Sequence, residues 1–104
     1  MMKTITKLLA LALMAATGAA AASGNAESGA TKAGLCAACH GANGISPSEM
    51  WPNLAGQKAA YLSKQIKAFR DGTRNDASMS AMVKSLSDQD IEDLAAYYAQ
   101  LSTQ

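Results

Sequence analysis

The sequence predicts an all-α protein with a single small domain. Apolar and small residues recur at helical spacing in three stretches, and no stretch alternates apolar and polar residues as a strand would. Glycine and proline are concentrated between those stretches, where they indicate loops. The 104 residues suffice for one domain, and they contain no internal repeat.

Residues 1–22 have the pattern of a cleaved secretory signal. The first seven residues contain two lysines and no acid, an apolar run (LLALALMA) follows, and residues 19–22 are alanines. The apolar run is far shorter than the roughly 20 residues that span a membrane. A retained anchor is the less favoured alternative, because no stop-transfer pattern follows. We expect cleavage after Ala22, export to the periplasm, and a mature domain of residues 23–104 without stable membrane insertion.

The mature chain is nearly neutral, with seven basic and eight acidic residues. Nucleic acid is therefore not an expected partner, since phosphate binding requires a surplus of lysine and arginine. The chain has only one Trp, one Phe and three Tyr, and alanine supplies much of its apolar fraction. A domain with so little core usually needs an additional staple, and a large apolar cofactor would provide one.

The first predicted helix covers residues 25–39, with Asn25 as a suitable cap and small residues at helical spacing: Ala26, Gly29, Ala30, Ala33 and Ala37. Gly29 is expected to let this helix approach Tyr97 or Tyr98 of the last helix. Residues 41–56, which contain both prolines, are expected to form a loop.

Two further helices are predicted. Residues 58–70 carry an apolar face and are followed by Gly72; the face comprises Ala59, Leu62, Ile66 and Phe69. Residues 73–85 are expected to be irregular. The last helix begins with a capping box at Ser87 and Asp90, and its buried stripe comprises Ile91, Leu94, Ala95, Tyr98 and Leu101.

Cys36, Cys39 and His40 form the motif C-x-x-C-H, the attachment signature of c-type haem. Residues three and four apart lie on one face of a helix, so both thiols and the imidazole point toward one flat group. Each thiol can add to a haem vinyl group as a thioether, and His40 then offers a ring nitrogen to the iron. The sequence therefore predicts one haem c per chain.

Three other interpretations of the motif are weaker. A disulfide leaves the adjacent His40 without a role. A thioredoxin-like redox pair would lie near a βαβ pattern, and no strand is predicted. A structural zinc site needs four ligands, and the chain has no further cysteine or histidine.

The second axial ligand of the iron must be a methionine, a weaker group or nothing, because His40 is the only histidine. Met50 lies only ten residues past His40, in the loop that first wraps the haem edge, so it is poorly placed to reach the opposite face. Met79 and Met82 lie beyond the second helix and are the candidates. Spacing alone does not choose between them.

The chain resembles the small class I cytochromes c of bacteria, a unit that occurs singly in monohaem cytochromes and doubled in dihaem periplasmic cytochromes. The resemblance covers nearly the whole mature chain and rests on residues 36–41 (CAACHG), 51–57 (WPNLAGQ), 61–62 with 65, 69–72 (FRDG), 79–82 (MSAM), 86–90 (LSDQD) and 95–98 (AAYY). It implies a fold in which the N- and C-terminal helices pack together around one haem.

The resemblance also assigns roles to single residues. The ligating methionine of the family lies seven residues before the Leu of a Leu-Ser-Asp stretch, which is Met79 here, whereas Met82 matches a methionine that is usually not a ligand. The family's loop proline, here Pro52, accepts a hydrogen bond from the ligand histidine through its carbonyl and fixes the tautomer. Trp51 is expected in the core, with contact between its indole N–H and a haem propionate as the alternative.

The implied function is one-electron transfer in the periplasm, without enzymatic activity. Histidine and thioether ligation favours Fe(II), which gives a fairly high reduction potential, and six-coordinate iron leaves no open site. The donor would be a quinol-linked complex or a dehydrogenase, and the acceptor a terminal oxidase or reductase; a haem subunit of such an enzyme is a close variant. The alternative is an enzyme or gas-binding protein with five-coordinate haem iron, although the sequence offers no acid–base pair to support peroxidase-type chemistry.

Overall fold

The computed structural model describes residues 24–103. This part contains five helices and no strand: α1 (Ala26–Lys32), α2 (Gly34–His40), α3 (Ala59–Asp71), α4 (Ala77–Val83) and α5 (Asp88–Ala99). The prediction of an all-α protein is confirmed for these residues. The predicted signal at 1–22 lies outside them.

The core lies where α5 meets α1 and α3. Its central cluster consists of Ala33, Leu62, Leu94, Ala95 and Tyr98. The predicted stripe of α5 is buried from Ile91 to Tyr98, whereas Leu101 is half-buried beyond the end of the helix. On α3, Leu62 is buried but Ala59 is exposed, so the predicted apolar face begins one turn later than expected.

Helix α5 begins at the predicted capping box. The Ser87 hydroxyl accepts the Asp90 N–H at 3.0 Å, and the Asp90 carboxylate accepts the Ser87 N–H at 3.0 Å. Two amide groups that the first helical turn leaves without partners are thereby satisfied.

The close contact between α1 and α5 depends on Gly29. A Cβ atom at this position would clash with the Asp93 carbonyl oxygen and would lie 2.7 Å from Cβ of Tyr97. Only a residue without a side chain lets the two backbones approach this closely. The predicted approach to the last helix is therefore confirmed, and Tyr97 is the tyrosine involved.

Asp93 of α5 is buried and joins the two helices through its carboxylate. It accepts hydrogen bonds from the Asn25 N–H at 2.9 Å, from Gln89 Nε2 at 2.8 Å and from Lys32 Nζ at 2.7 Å. The Lys32 ammonium, followed by the other two donors, lowers the pKa of Asp93 from 3.8 to about 2. All of these donors stabilise the charged form, so the buried carboxylate is paired.

Charged side chains also join α3 to α5. Glu92 accepts from Lys67 Nζ and from the Ser63 hydroxyl, both at 2.8 Å, and Lys67 is the main cause of its lowered pKa. Arg70 pairs with Asp88 at 2.8 Å. Two of the basic residues of α3 therefore hold helices together.

The prediction of one continuous first helix is wrong at Ala33. The Ala33 N–H bonds to the Ala30 carbonyl at 3.4 Å, a tighter turn than the α-helical one, and α2 begins at the following glycine. Ala33 itself keeps helical angles, with φ −71° and ψ −14°. The two helices are therefore separated by one residue, Ala33.

The prediction that residues 73–85 are irregular is also wrong, because α4 lies within them. The Asp76 side chain caps this helix and accepts the Met79 N–H at 2.9 Å. Aspartate is a strong N-cap residue, and alanine and methionine, two good helix formers, follow it. Val83, at the other end of α4, is buried.

Candidate functional site

Helix α2 carries both cysteines and the histidine of the C-x-x-C-H motif. The two thiols are free and half-buried, and His40 is 7% exposed. Their positions on successive turns of one short helix bring all three side chains to the same side of the chain. The structure therefore brings the predicted attachment and proximal-ligand residues together.

His40 is oriented by Pro52. Its Nδ1 atom lies 2.8 Å from the Pro52 carbonyl oxygen. A carbonyl only accepts hydrogen bonds, so Nδ1 must carry the proton, and the lone pair of the neutral ring is then on Nε2. This arrangement leaves Nε2 as the nitrogen for binding a metal, and the hydrogen bond makes it a better donor.

The loop between α2 and α3 folds back on itself to place Pro52. Gly44, which has a φ of 78°, offers its carbonyl to the N–H groups of Leu54 and Ala55 at 2.8 and 3.0 Å. The Asn53 side chain accepts the Ser46 N–H at 2.7 Å across the same loop. These bonds join residues 44 and 46 to residues 53–55, directly after Pro52, and so fix the loop with the Pro52 carbonyl against the imidazole.

Cys36 and Tyr98 interact between α2 and α5. Burial raises the pKa of the Cys36 thiol, and a hydrogen bond with the Tyr98 hydroxyl opposes that change. Tyr98 is 2% exposed, and its pKa is raised by burial and by the adjacent Cys36. The sulfur of Cys36 therefore lies against the protein core rather than in solvent.

The methionines differ in position and exposure. Met79 is half-buried and Met82 is 41% exposed, and both lie on α4, which packs on α3. Met50 is 81% exposed in the loop after α2. The candidate distal ligands thus come from a separate helix, which Asp76 caps.

Trp51 is 43% exposed, so the expectation that it packs in the core is wrong. Its side chain lines an open cleft together with Ser46, Ser48 and Asn53. The loop turns its backbone toward His40 at Pro52, and the preceding side chain points outward as a result.

The residues present fit a haem. Among residues 24–103, the buried apolar core contains eight residues, three of them alanine. Several large apolar side chains remain exposed. They lie on α2, in the loop that follows it, on α3 and on α4: Leu35, Met50, Trp51, Tyr61 and Met82. A chain with this balance is suited to burying apolar surface against a group that is not part of the chain. Free thiols and a preset imidazole supply the matching donor set.

Three positions were not identified from the sequence. Asp76 could have been found from its spacing before the methionines, which is typical of an N-cap. Tyr98 was predicted in the buried stripe and as one of two tyrosines near Gly29, but its contact with Cys36 depends on how α2 meets α5. Arg74 lies against α3 through contacts that no local pattern indicates.

Within residues 24–103, no helix combines the length and apolar character needed to cross a membrane. In the same range, no three histidine, cysteine, aspartate or glutamate side chains converge as a metal-binding group.

Comparison with known proteins gives consistent results. Residues 21–102 match the family described as Cytochrome c. Cytochrome c4 of Pseudomonas aeruginosa is 47% identical over 95 residues, which cover 91% of this chain and 46% of that protein. Cytochrome c-554(548) of Halomonas halodenitrificans is 51% identical over 79 residues, 73% of this chain and 95% of that one.

The fold is similar to that of reduced recombinant cytochrome c4 from Pseudomonas stutzeri, with a TM-score of 0.73 and 41% identity. The similarity covers 76% of this chain and 46% of the solved one. The chain thus spans about half the length of the cytochromes c4 that it matches and nearly all of the shorter cytochrome.

Proposed function

The chain belongs to the cytochrome c family, and we propose that it transfers single electrons in the periplasm through one haem c held by Cys36 and Cys39. The observation that carries this proposal is the pairing of His40 Nδ1 with the Pro52 carbonyl at 2.8 Å. It leaves Nε2 as an iron ligand on the same helix as two free thiols.

His40 and Met79 would hold the iron through the imidazole and the thioether, and the Pro52 carbonyl fixes the tautomer of His40. The half-buried position of Met79 supports this choice, because Met82 is 41% exposed. When bound, the haem supplies a one-electron couple between ferric and ferrous iron. The chain would supply both ligands of the iron, and its apolar side chains would exclude water from the haem, so electron transfer would be favoured over substrate binding.

Trp51 is assigned a peripheral role at the edge of the haem. Its side chain is 43% exposed, and its indole N–H would donate to a propionate, the alternative to core packing. This contact would orient the propionate and add little to stability.

The mature protein is proposed to comprise residues 23–104 after removal of 1–22 as a signal. Redox proteins are the proposed partners: a quinol-linked complex or a dehydrogenase as donor, and a terminal oxidase or reductase as acceptor.

The haem assignment is tested by mass spectrometry of denatured periplasmic protein. We expect the mass of residues 23–104 plus one haem, and a reduced-minus-oxidised spectrum of the c type. Extraction of the haem into acidified organic solvent would exclude thioether attachment. Rapid binding of carbon monoxide to the reduced native protein would favour the five-coordinate rival.

The distal ligand is tested by comparing Met79→Ala with Met82→Ala. Met79→Ala should abolish the weak far-red iron–sulfur absorption of the oxidised protein and lower its reduction potential, because a harder ligand favours Fe(III). Met82→Ala should leave both properties nearly unchanged. The reverse result would assign Met82 as the ligand and keep the electron-transfer proposal. If neither variant changes these properties, neither Met79 nor Met82 is a ligand of the iron.

A further inference from the structure

We propose that Arg74 is a positioning residue for Met79, which it holds in place by fastening the segment between α3 and α4 to the surface of α3. The proposal rests on the assignment of Met79 as the distal ligand. It concerns residues 72–76, named here the connecting segment.

The connecting segment leaves α3 through a tight backbone turn. Gly72 adopts a left-handed conformation with φ 89°, and its N–H bonds to the Ala68 carbonyl at 3.0 Å. The Arg74 N–H bonds to the same carbonyl at 3.1 Å, and the Thr73 hydroxyl lies 3.4 Å from it. The backbone is thus turned back so that the side chain of Arg74 reaches the helix it has just left.

That side chain makes two contacts with α3. The guanidinium carbon lies 4.5 Å from the centroid of the Phe69 ring, and Nη1 donates to Gln65 Oε1 at 2.7 Å. Gln65 and Phe69 are four residues apart and therefore share one face of the helix. A planar guanidinium can stack on the ring and donate to the amide oxygen together, which a lysine ammonium cannot.

Only Asn75 separates Arg74 from the cap of α4. Asp76 is extended, and its carboxylate accepts the N–H of Met79 itself at 2.9 Å. Its carbonyl accepts the Ser80 N–H at 2.8 Å. A displacement of Arg74 is therefore passed through two residues to the backbone of Met79.

The other end of α4 is fixed independently by Val83, which is 2% exposed. The helix is only seven residues long, so these two anchors define its position. Without the Arg74 side chain, the segment before α4 loses its contacts with Phe69 and Gln65 and keeps the backbone and Thr73 bonds to Ala68, so the end of α4 that carries Met79 is held less firmly. Met82, one residue before Val83, is at the end that stays fixed.

Imidazole competition on the oxidised holoprotein tests this inference, because imidazole binds iron only when the distal ligand leaves. The apparent affinity for imidazole rises in proportion to the population of the released form. We expect Arg74→Gln to bind imidazole about tenfold more tightly than wild type, which corresponds to about 1.4 kcal/mol. One cation–π contact and one hydrogen bond of a charged group account for a change of that order.

Lys84→Gln is the matched control, since Lys84 is an exposed cation at the opposite end of α4. It should leave the imidazole affinity within about twofold, which is within the usual effect of a surface substitution. Arg74→Lys, which keeps the charge without the planar group, should lie between wild type and Arg74→Gln. In a double-mutant cycle, Phe69→Leu should add little to Arg74→Gln, because either change removes the same contact.

Two results would overturn the inference in distinguishable ways. If wild type shows the far-red iron–sulfur band and Arg74→Gln binds imidazole as Lys84→Gln does, Arg74 does not position Met79, while the proposed function stands. If wild type itself lacks the band, the assignment of Met79 as ligand fails, and the inference falls with it. Loss of global stability alone would not change imidazole affinity in the folded protein, so a merely structural role of Arg74 gives the first of these results.

Discussion

The α1–α5 pair and the half of the molecule formed by α2, the following loop and α4 are stabilised in different ways. Helices α1 and α5 are held together by contacts within the chain. These are buried apolar residues, the close backbone contact at Gly29, and the Asp93 carboxylate with its donors Asn25 and Lys32. In the other half, α4 has only one fully buried residue, Val83, and this half contains four of the five large apolar residues that are exposed within 24–103. The first region buries its apolar side chains within the chain, and we expect the second to bury its exposed ones against the haem.

The largest expected effect comes from removing both attachment thiols. Cys36→Ala with Cys39→Ala should leave a poorly packed or unfolded chain. Without covalently held haem, the half formed by α2, the following loop and α4 lacks most of its apolar contact area. The loss would appear as a broad, non-cooperative thermal transition by circular dichroism. A cooperative transition unchanged from wild type would show that the α1–α5 pair alone supports the fold.

Gly29→Ala should destabilise the α1–α5 pair. The new methyl group meets the backbone of Asp93, so the helices must separate, and we expect a loss of about 1–3 kcal/mol in the free energy of unfolding. Gly34→Ala is the control, since a Cβ there has no neighbour within 4 Å. It should be neutral or stabilising by at most about 1 kcal/mol. Urea denaturation of the holoproteins measures both, and equal effects would contradict the role of the contact.

The two capping residues separate stability from iron ligation. Ser87→Ala and Asp76→Ala should each cost about 1 kcal/mol, the usual cost of losing an N-cap. Only Asp76→Ala should also weaken the far-red absorption, because its carboxylate binds the N–H of Met79. Loss of that band in Ser87→Ala would mean that the two regions are coupled.

Acid is expected to weaken the α1–α5 pair through Asp93. The pKa of Asp93 is about 2 in the folded chain against an ordinary 3.8, so the unfolded state binds more protons between these values. Stability from this group is complete above about pH 4 and is lost as the pH falls toward 2. Asp93→Asn should flatten that part of the pH profile in urea titrations. A profile identical to that of wild type would exclude Asp93 as its source.

The two regions also differ in how far the sequence predicts them. Helix α5 could be predicted almost to the residue, because its capping box and apolar stripe are local patterns. The C-x-x-C-H motif likewise predicted which residues share α2. Helix α4 was missed, although Asp76 is a recognisable cap, because a helix of seven residues with a single buried residue has no apolar periodicity to mark it.

Contacts between distant residues were not predictable in the same way. The pairing of Asp93 with Asn25 joins residues 68 positions apart, and the stacking of Arg74 on Phe69 depends on the turn at Gly72. Trp51 was expected to be buried because of its residue type, yet the backbone bonds of the loop determine where it points. These features follow from how the elements meet.

The bond between Asn25 and Asp93 also has a kinetic consequence. It closes a loop of 68 residues, nearly the whole described chain, and closing a flexible loop of that length costs about 4 kcal/mol of entropy. Contacts so distant in sequence slow folding, because the entropy is lost before the contacts form. Interactions that compact residues 41–87 before the ends meet will therefore accelerate folding. Those that only strengthen the closed pair will slow unfolding.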